Sequence, residues 1–557
     1  MAERRLGYGA GGNGAQVEVD VVHDYVVVGG GSAGCVLAAR LSEDPAVRVL
    51  LLEAGPRDRK LEIRVPAAFT KLFKGPLDWD YETEPEDRLA GRRLYWPRGR
   101  VLGGCSSLNA MMYLRGTPAD FDWWAELGNP GWSWADVLPI FRRIENDGAG
   151  GSEWTGGNGP QHVGALRDTN PLTHAFLEAA QAHGLTRVER LNHGDQEGVG
   201  HTPVTQYRGR RWSAADGYLR PALRRRNLQV LTDAVATRVV VDNGRAAGVE
   251  YRRRGRIETA RATREAIVSC GAVNSPQLLM LSGIGPAQHL KDTGIDVVAD
   301  LPGVGENLQD HLMVAVIVAT TSALSLVAAE SLRNTARWLL RRRGMLTSNV
   351  GEAAAFVRSR EGLPGSDLEL IFAPVPFMDH GFTKPAGHGM TLGPVLLQPR
   401  SRGRISLLSP DPAAKPRIEA RYLSDPEGQD LATMVAGVRL CRAILARPEL
   451  AAHGTEPVEP GPGVETDEQL AEFVREQAET LYHPVGTCRM GVDEGAVVDP
   501  RLRVRGVEGL RVADCSIIPT IIRGHTNAAA MMIAERAADL IREDSRRPAS
   551  AAAPSEL

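Results

Sequence analysis

Three observations predict an α/β fold of more than one unit. The chain has 557 residues, well past the ~250–300 residues at which a single core stops growing. Residues 23–56 pass through strand, glycine turn, helix, second strand and acid, in that order. Farther along, strand-like runs such as "DLELIFAPV", "GRISLLS" and "RIEARYL" stand beside a long helical run, "QDLATMVAGVRLCRAILA".

The elements follow from the N-terminus. "MAERRLGYGAGGNGAQVEVD" is glycine-rich and lacks an apolar stretch, so residues 1–20 are expected to be a disordered lead-in and not a secretory signal. "YVVVGG" is a short β-branched run, the pattern of a buried strand. Gly29, Gly31 and Gly34 then complete G-x-G-x-x-G, "CVLAARLSED" continues as a helix, and "VRVLLLE" ends a second strand at Glu53. Gly29 permits the tight turn, Gly31 lets the backbone approach a pyrophosphate, and Gly34 lets helix and strand pack closely. The helix N-terminus faces the phosphates, and Glu53 is placed to accept hydrogen bonds from a ribose. Dinucleotide binding is expected from this order of parts. The motif fits FAD and NAD alike.

Composition narrows the class. Hydrophobic residues make up 43% and charged residues 24%, as in a globular protein that works in water. A net charge of −3 supplies no global field to recruit nucleic acid. The six cysteines, at 35, 105, 270, 441, 488 and 515, form no C-x-x-C pair, so neither a metal site nor a disulfide framework is expected. No apolar run reaches the ~18 residues that would span a bilayer, and a cytoplasmic location is expected. One basic segment, "LRNTARWLLRRRG" (332–344), has apolar residues on one helical side and arginines opposite; a solvated helix packed on the protein is the expected reading, with contact with an acidic membrane surface as the alternative.

Five later stretches complete the pattern: "WPRGRVLGGCSSLNAMMYLRG" (96–116), "GAVNSPQLLMLSGIG" (271–285), "LPGVGENLQDHL" (301–312), "YHPVGTCRMG" (482–491) and "GLRVADCSIIPTIIRGHTN" (509–527). With these residues together, the chain from about 23 to 545 strongly resembles the glucose–methanol–choline (GMC) family of flavoenzymes. Residues 271–285 fit the family's second signature throughout; the first departs at Cys105, where Ser is usual. The resemblance implies a Rossmann-like FAD-binding domain assembled from residues 20–60, 95–118, 228–312 and 476–545. A substrate domain built on an antiparallel sheet takes residues 61–94, 119–227 and 313–475, and a disordered tail takes 546–557.

The cofactor so implied is FAD. Gly29, Gly31, Ser32, Ala33, Gly34, Glu53 and Ala54 match positions that hold its ADP half. Val101, Asn109, Ala110, Met111 and Met112 match positions lining the flavin half, and Val235 one that meets the adenine through its backbone. Asp514 and Cys515 match positions near the ribityl–pyrophosphate, and Thr526 and Asn527 positions near the isoalloxazine. Some relatives attach FAD through a histidine where this chain has Leu108, so a noncovalent flavin is expected.

Flavin-dependent alcohol oxidation needs a base for the hydroxyl proton and a group to hold the oxygen. In relatives the base is the His of H-x-x-G-T, here His483, and the partner position falls on His525; which of the two takes the proton is left open by the sequence, since such a pair titrates together. The resemblance thus implies an oxidoreductase that turns an alcohol CH–OH into a carbonyl and passes electrons to O2, a quinone or another carrier. Hydroxynitrile lyases and light-driven fatty-acid decarboxylases of the same family are the alternatives. For the substrate, Glu352 is either a partner for a cationic alcohol such as choline or, at least as readily, a structural or surface glutamate, while "LELIFAPVPFMDHG" and Tyr482 suggest a partly apolar pocket.

Overall fold

The computed structural model describes residues 22–194, 196–383, 386–454 and 456–546. The expected lead-in, and the expected tail beyond its first residue, lie outside the described residues. The first sheet contains β1 (Val22–Val28), β2 (Val49–Leu52), β3 (Leu228–Leu231), β4 (Ala234–Asp242), β5 (Arg245–Arg253) and β6 (Arg256–Val268), in the order β3-β2-β1-β6-β5-β4. β3, β2, β1 and the end of β6 run parallel, with register Val26↔Leu50 and Val26↔Ala266. The segments 26–28 and 49–52 are buried along their whole length. Strands covered on both faces read as continuous apolar runs, which is why "YVVV" and "VLLL" do not alternate.

β6 finds different partners along its length. Its first half pairs antiparallel with β5, and its last residues pair parallel with both β1 and a late strand, Leu510–Val512. Helix α1 (Ser32–Leu41) returns from β1 across the sheet, and the C-terminal helix Thr526–Arg546 packs beside it. Gly34 allows that return: a Cβ there would meet the Gly29 carbonyl oxygen at 1.8 Å. The two helices are fixed by Glu535, a buried carboxylate that accepts from Arg40 (2.9 and 3.0 Å) and the Tyr218 hydroxyl (2.8 Å) and pairs with Arg143 (3.0 Å). A buried charge persists only when its oxygens are paired in this way.

The second sheet is antiparallel, as the resemblance implies. It contains β7 (Leu312–Met313), β8 (Val316–Ala319), β9 (Ala353–Val357), β10 (Leu368–Ala373), β11 (Gly389–Leu396), β12 (Glu456–Glu459) and β13 (Glu479–Thr480). The order is β9-β10-β11-β7-β13, with β8 joining β11 to β12. Helix α3 (Gln429–Leu445), with α2 (Gly271–Leu281) earlier in the chain, is the long helical run expected; it lies close on this sheet, since a Cβ on Gly437 would meet Pro394 at 2.6 Å. "DLELIFAPV" is β10, whereas "GRISLLS" and "RIEARYL" form a small separate pair, Arg404–Ser406 with Arg417–Glu419. β13 falls in a segment that the sequence division placed with the nucleotide parts. Two residues carry too little pattern to reveal which sheet they join. Among the described residues, no helix is long and apolar enough to cross a membrane, and all six cysteines are free.

Candidate functional site

A cavity of about 670 Å³ lies between the two sheets. Gly29, Gly31, Ser32, Ala33, Glu53, Ala54, Asn109, Ala110, Met111, Met112, Val235, Asp514, Cys515, Thr526, Asn527, His483 and His525 all line it. Gly34 sits one step behind, where it permits helix–strand contact. The Val101 side chain is buried instead in a small apolar cluster with Ile63, Leu72, Leu77 and Leu108, and does not line the cavity.

The nucleotide end has the build a dinucleotide requires. Gly29 takes φ +97°, and a Cβ there would strike the Ser269 carbonyl oxygen at 2.5 Å. At Gly31 a Cβ would meet nothing nearer than Gly104 Cα at 4.0 Å, so the backbone is left open for close approach. The first residues of three helices (Ser32, Gly271 and Thr526) line the cavity, and neither α1 nor α2 has a side-chain cap. The orphan N–H groups at the start of α1, with the aligned helix dipoles, favour an anion there, while the Gly271 N–H of α2 is taken by Asp514. Glu53 is buried, which raises its pKa, and its carboxylate is oriented by the N–H groups of Gly30 (2.8 Å) and Gly55 (2.7 Å). Arg100 also lines the cavity and keeps its buried Nε without a partner. Ser32 donates to Asn527 (2.6 Å), and Asp514 accepts from Gly271 N (2.8 Å) and Ser275 (2.5 Å), tying the helix starts together. These residues fit FAD.

The two imidazoles come from opposite modules. His483 follows β13 of the second sheet, and His525 immediately precedes the C-terminal helix on the first. Their ring centroids are 4.6 Å apart, edge to face at 61°. His525 is placed by its N–H donating to the Leu114 carbonyl (2.8 Å). The His483 N–H donates to Asp310 (2.7 Å), a buried carboxyl whose pKa is pushed up to about 6 and which also accepts from Thr480 (2.5 Å) and Tyr422.

Hydrogen-bond partners select one pair of tautomers when His311 carries its hydrogen on Nε2. His311 Nδ1 meets His483 Nδ1 at 3.0 Å, so one of the two nitrogens must donate. His311 Nε2 faces the Leu397 carbonyl at 3.2 Å, an acceptor only, and therefore carries a hydrogen. Burial pushes the His311 imidazole down to about 3, which keeps the ring neutral with that single hydrogen. His311 Nδ1 is then the acceptor, His483 Nδ1–H the donor, and His483 Nε2 the nitrogen with a free lone pair. Burial, the two neighbouring imidazoles and Arg98 hold His483 well below the ordinary imidazole range. On the other ring, His525 Nε2 lies 3.0 and 3.1 Å from the two carboxylate oxygens of Glu369, a fully buried residue.

The structure adds Asp310, His311 and Glu369 to the sequence reading. Asp310 and His311 lie in "NLQDHL", and Glu369 interrupts the apolar run of β10; a charged residue inside a buried strand was its signal. Glu369, Ile371 and Ala373 share one face of β10 by its two-residue period, and the latter two line the cavity. Glu352 does not reach the cavity. It is buried, accepting from Asn170 N (2.8 Å), Thr173 (2.7 Å) and Ser348 (2.6 Å), so it holds the fold and is no counter-charge for a cationic substrate.

A dinucleotide cradle opening onto paired imidazoles, with an apolar wall beyond, defines a flavin-dependent oxidoreductase. GMC oxidoreductase domains match residues 23–313 and 399–534. The chain is 55% identical to an uncharacterized GMC-type oxidoreductase of Mycobacterium tuberculosis, over 94% of this chain and 100% of the other. It is 44% identical to an alcohol dehydrogenase [acceptor] of Pseudomonas putida (93% and 96% covered) and 46% identical to an oxygen-dependent choline dehydrogenase of Rhizobium etli (93% and 95% covered). Among solved structures, pyridoxine 4-oxidase from Mesorbium loti superposes with a TM-score of 0.86 at 34% identity, covering 94% of this chain and 99% of that one. The chain belongs to the GMC oxidoreductase family and is an FAD-dependent enzyme acting on alcohols.

Proposed function

We propose that the enzyme oxidises a neutral, apolar alcohol to its carbonyl compound, with His483 Nε2 as the base. The observation that carries this reading is the Nδ1-to-Nδ1 contact of His311 with His483, which leaves Nε2 unprotonated in a cavity-lining ring. The low basicity of His483 keeps that nitrogen free at neutral pH. His525, held through Nε2 by Glu369, flanks His483 and positions the substrate oxygen between the two rings. FAD, when bound, supplies the acceptor for the hydride from the carbinol carbon. Gly29, Gly31–Gly34, Glu53, Ala54, Val235, Asp514 and Cys515 would hold its ADP and ribityl parts, and Asn109–Met112, Thr526 and Asn527 its ring. Leu108, which cannot form a bond to the flavin, supports noncovalent attachment.

The substrate class follows from the wall. Phe69, Phe73, Phe377, Met313, Ile371 and Leu481 line the cavity, whereas its acidic lining residues are Glu53 and Asp514, both at the nucleotide end. Among the lining residues no carboxylate stands on this wall to balance a quaternary ammonium, and a sugar would leave hydroxyls unpaired against hydrocarbon. Anaerobic stopped-flow mixing with benzylic, long-chain and choline substrates tests this: the two apolar classes should bleach the flavin fastest. His483→Ala should slow that bleaching by about 10²–10⁴-fold, the usual contribution of a positioned base, and His525→Ala should slow it as well. Near-wild-type reduction in both variants refutes the assignment. Readmitting air and measuring peroxide then separates O2 from a quinone-type carrier as acceptor.

A further inference from the structure

The helix Leu332–Arg341 is held to the rest of the molecule along one side only. Trp338 is its buried anchor, donating Nε1–H to the Gly209 carbonyl (2.9 Å), and Asn334, one turn before, donates to the Ala328 carbonyl (2.9 Å). The opposite side faces solvent and is apolar: Leu332 is 90% exposed, Leu340 84% and Leu339 49%. Leu332, Ala336 and Leu340 recur every fourth residue and form one ridge. Arg333, Arg337 and Arg341 form the parallel ridge beside it, and among the described residues none of the three pairs with an acid. Their neighbours are already engaged, Arg342 over the Trp338 ring (3.9 Å) and Arg343 with Asp168 (3.0 Å). A leucine ridge alongside an arginine ridge, unpartnered on a protein of net charge −3, matches the layering of an acidic bilayer surface: acyl chains for the leucines, phosphates for the guanidinium groups.

We propose that this helix docks the enzyme on anionic phospholipid membranes. The helix also adjoins the apolar wall of the cavity. Glu330, two residues before it, pairs with Lys71 (2.7 Å) in the segment that carries Phe69 and Phe73, and Leu326 N–H donates to the Pro374 carbonyl (2.8 Å) beside Phe377. Docking would therefore bring that wall close to the lipid surface. The proposal does not depend on the substrate assigned above.

Flotation of the holoenzyme with phosphatidylglycerol–phosphatidylcholine vesicles, and with phosphatidylcholine alone, tests the surface. Binding to the acidic vesicles is expected, weakening as salt is raised. Each arginine removed, as in Arg333→Gln with Arg337→Gln, should lower the partition coefficient about fivefold, and Leu332→Ser with Leu340→Ser should abolish binding. Bleaching by a water-soluble alcohol stays unchanged in these variants, since the substituted residues are exposed and the Trp338 anchor is intact. Wild-type enzyme that ignores acidic vesicles, or variants that bind as well as wild type, overturn the proposal. So does gel filtration showing a dimer that the leucine variant dissociates, without vesicle binding, because the apolar ridge then belongs to a second copy.

Discussion

Replacing His311 by phenylalanine is expected to slow flavin reduction by about 10²-fold or more while leaving the cavity wall in place, because His483 then loses the acceptor that selects its tautomer. His311→Gln should retain more activity, since an amide oxygen can still accept from His483 Nδ1–H. Stopped-flow reduction of the two variants checks this, and equal losses would contradict it. The pH dependence follows from the same pair of rings. A base must be unprotonated to act, and His483 is held well below 6.5 by burial and by His525, His311 and Arg98. The reduction rate should therefore stay level as pH falls through 6.5 and decline only in more acidic solution. A limb at or above 6.5 would point to another base. Glu369→Gln, which exchanges the carboxylate beside His525 for a neutral amide, is expected to slow the same step and alter the profile.

At the scale of elements, the nucleotide turn is the most exacting part. Gly34→Val would drive side-chain atoms into the Gly29 carbonyl, already 1.8 Å from a Cβ at that position, so the purified variant should show little flavin absorbance per protein. A variant with wild-type flavin content would mean that α1 and β1 can separate. This turn was legible in the sequence because all of its parts lie within one β-α-β unit; the α3 run was legible because it is a single contiguous helix, and the second signature because it matches the family's pattern residue by residue. The support of the imidazoles was not. His311 and His483 are 172 positions apart and Glu369 and His525 156 apart, and no local period announces that two such side chains face each other. Glu352 shows the converse: beside a family-like segment the sequence admitted a substrate partner and a structural glutamate alike, and only the structure, where its oxygens are consumed by Asn170, Thr173 and Ser348, decides for the second.

Across the whole molecule, the cavity runs along the seam between a mostly parallel sheet and an antiparallel one, and each supplies one histidine. A ligand that fills this seam binds the assembled form alone and so stabilises it by mass action. Stripping FAD should lower the melting temperature. Free FAD at about 100 times its Kd should restore about 2.7 kcal/mol; thermal scans of the apo and reconstituted protein report both. Insensitivity of the melt to FAD would mean that the cofactor sits outside the seam.

The late strand Leu510–Val512 beside β6, and the helix from Thr526 to Arg546 that follows it, also set an order of construction. During synthesis β1, its glycine turn and β2 emerge first, but His483, His525 and the helix start at Thr526 arrive only after the whole second sheet has left the ribosome. A chain stopped before residue 483 would thus own a nucleotide fingerprint without the two imidazoles proposed as the reacting pair, so on that reading alcohol-oxidising capacity comes only with chains that extend past Thr526.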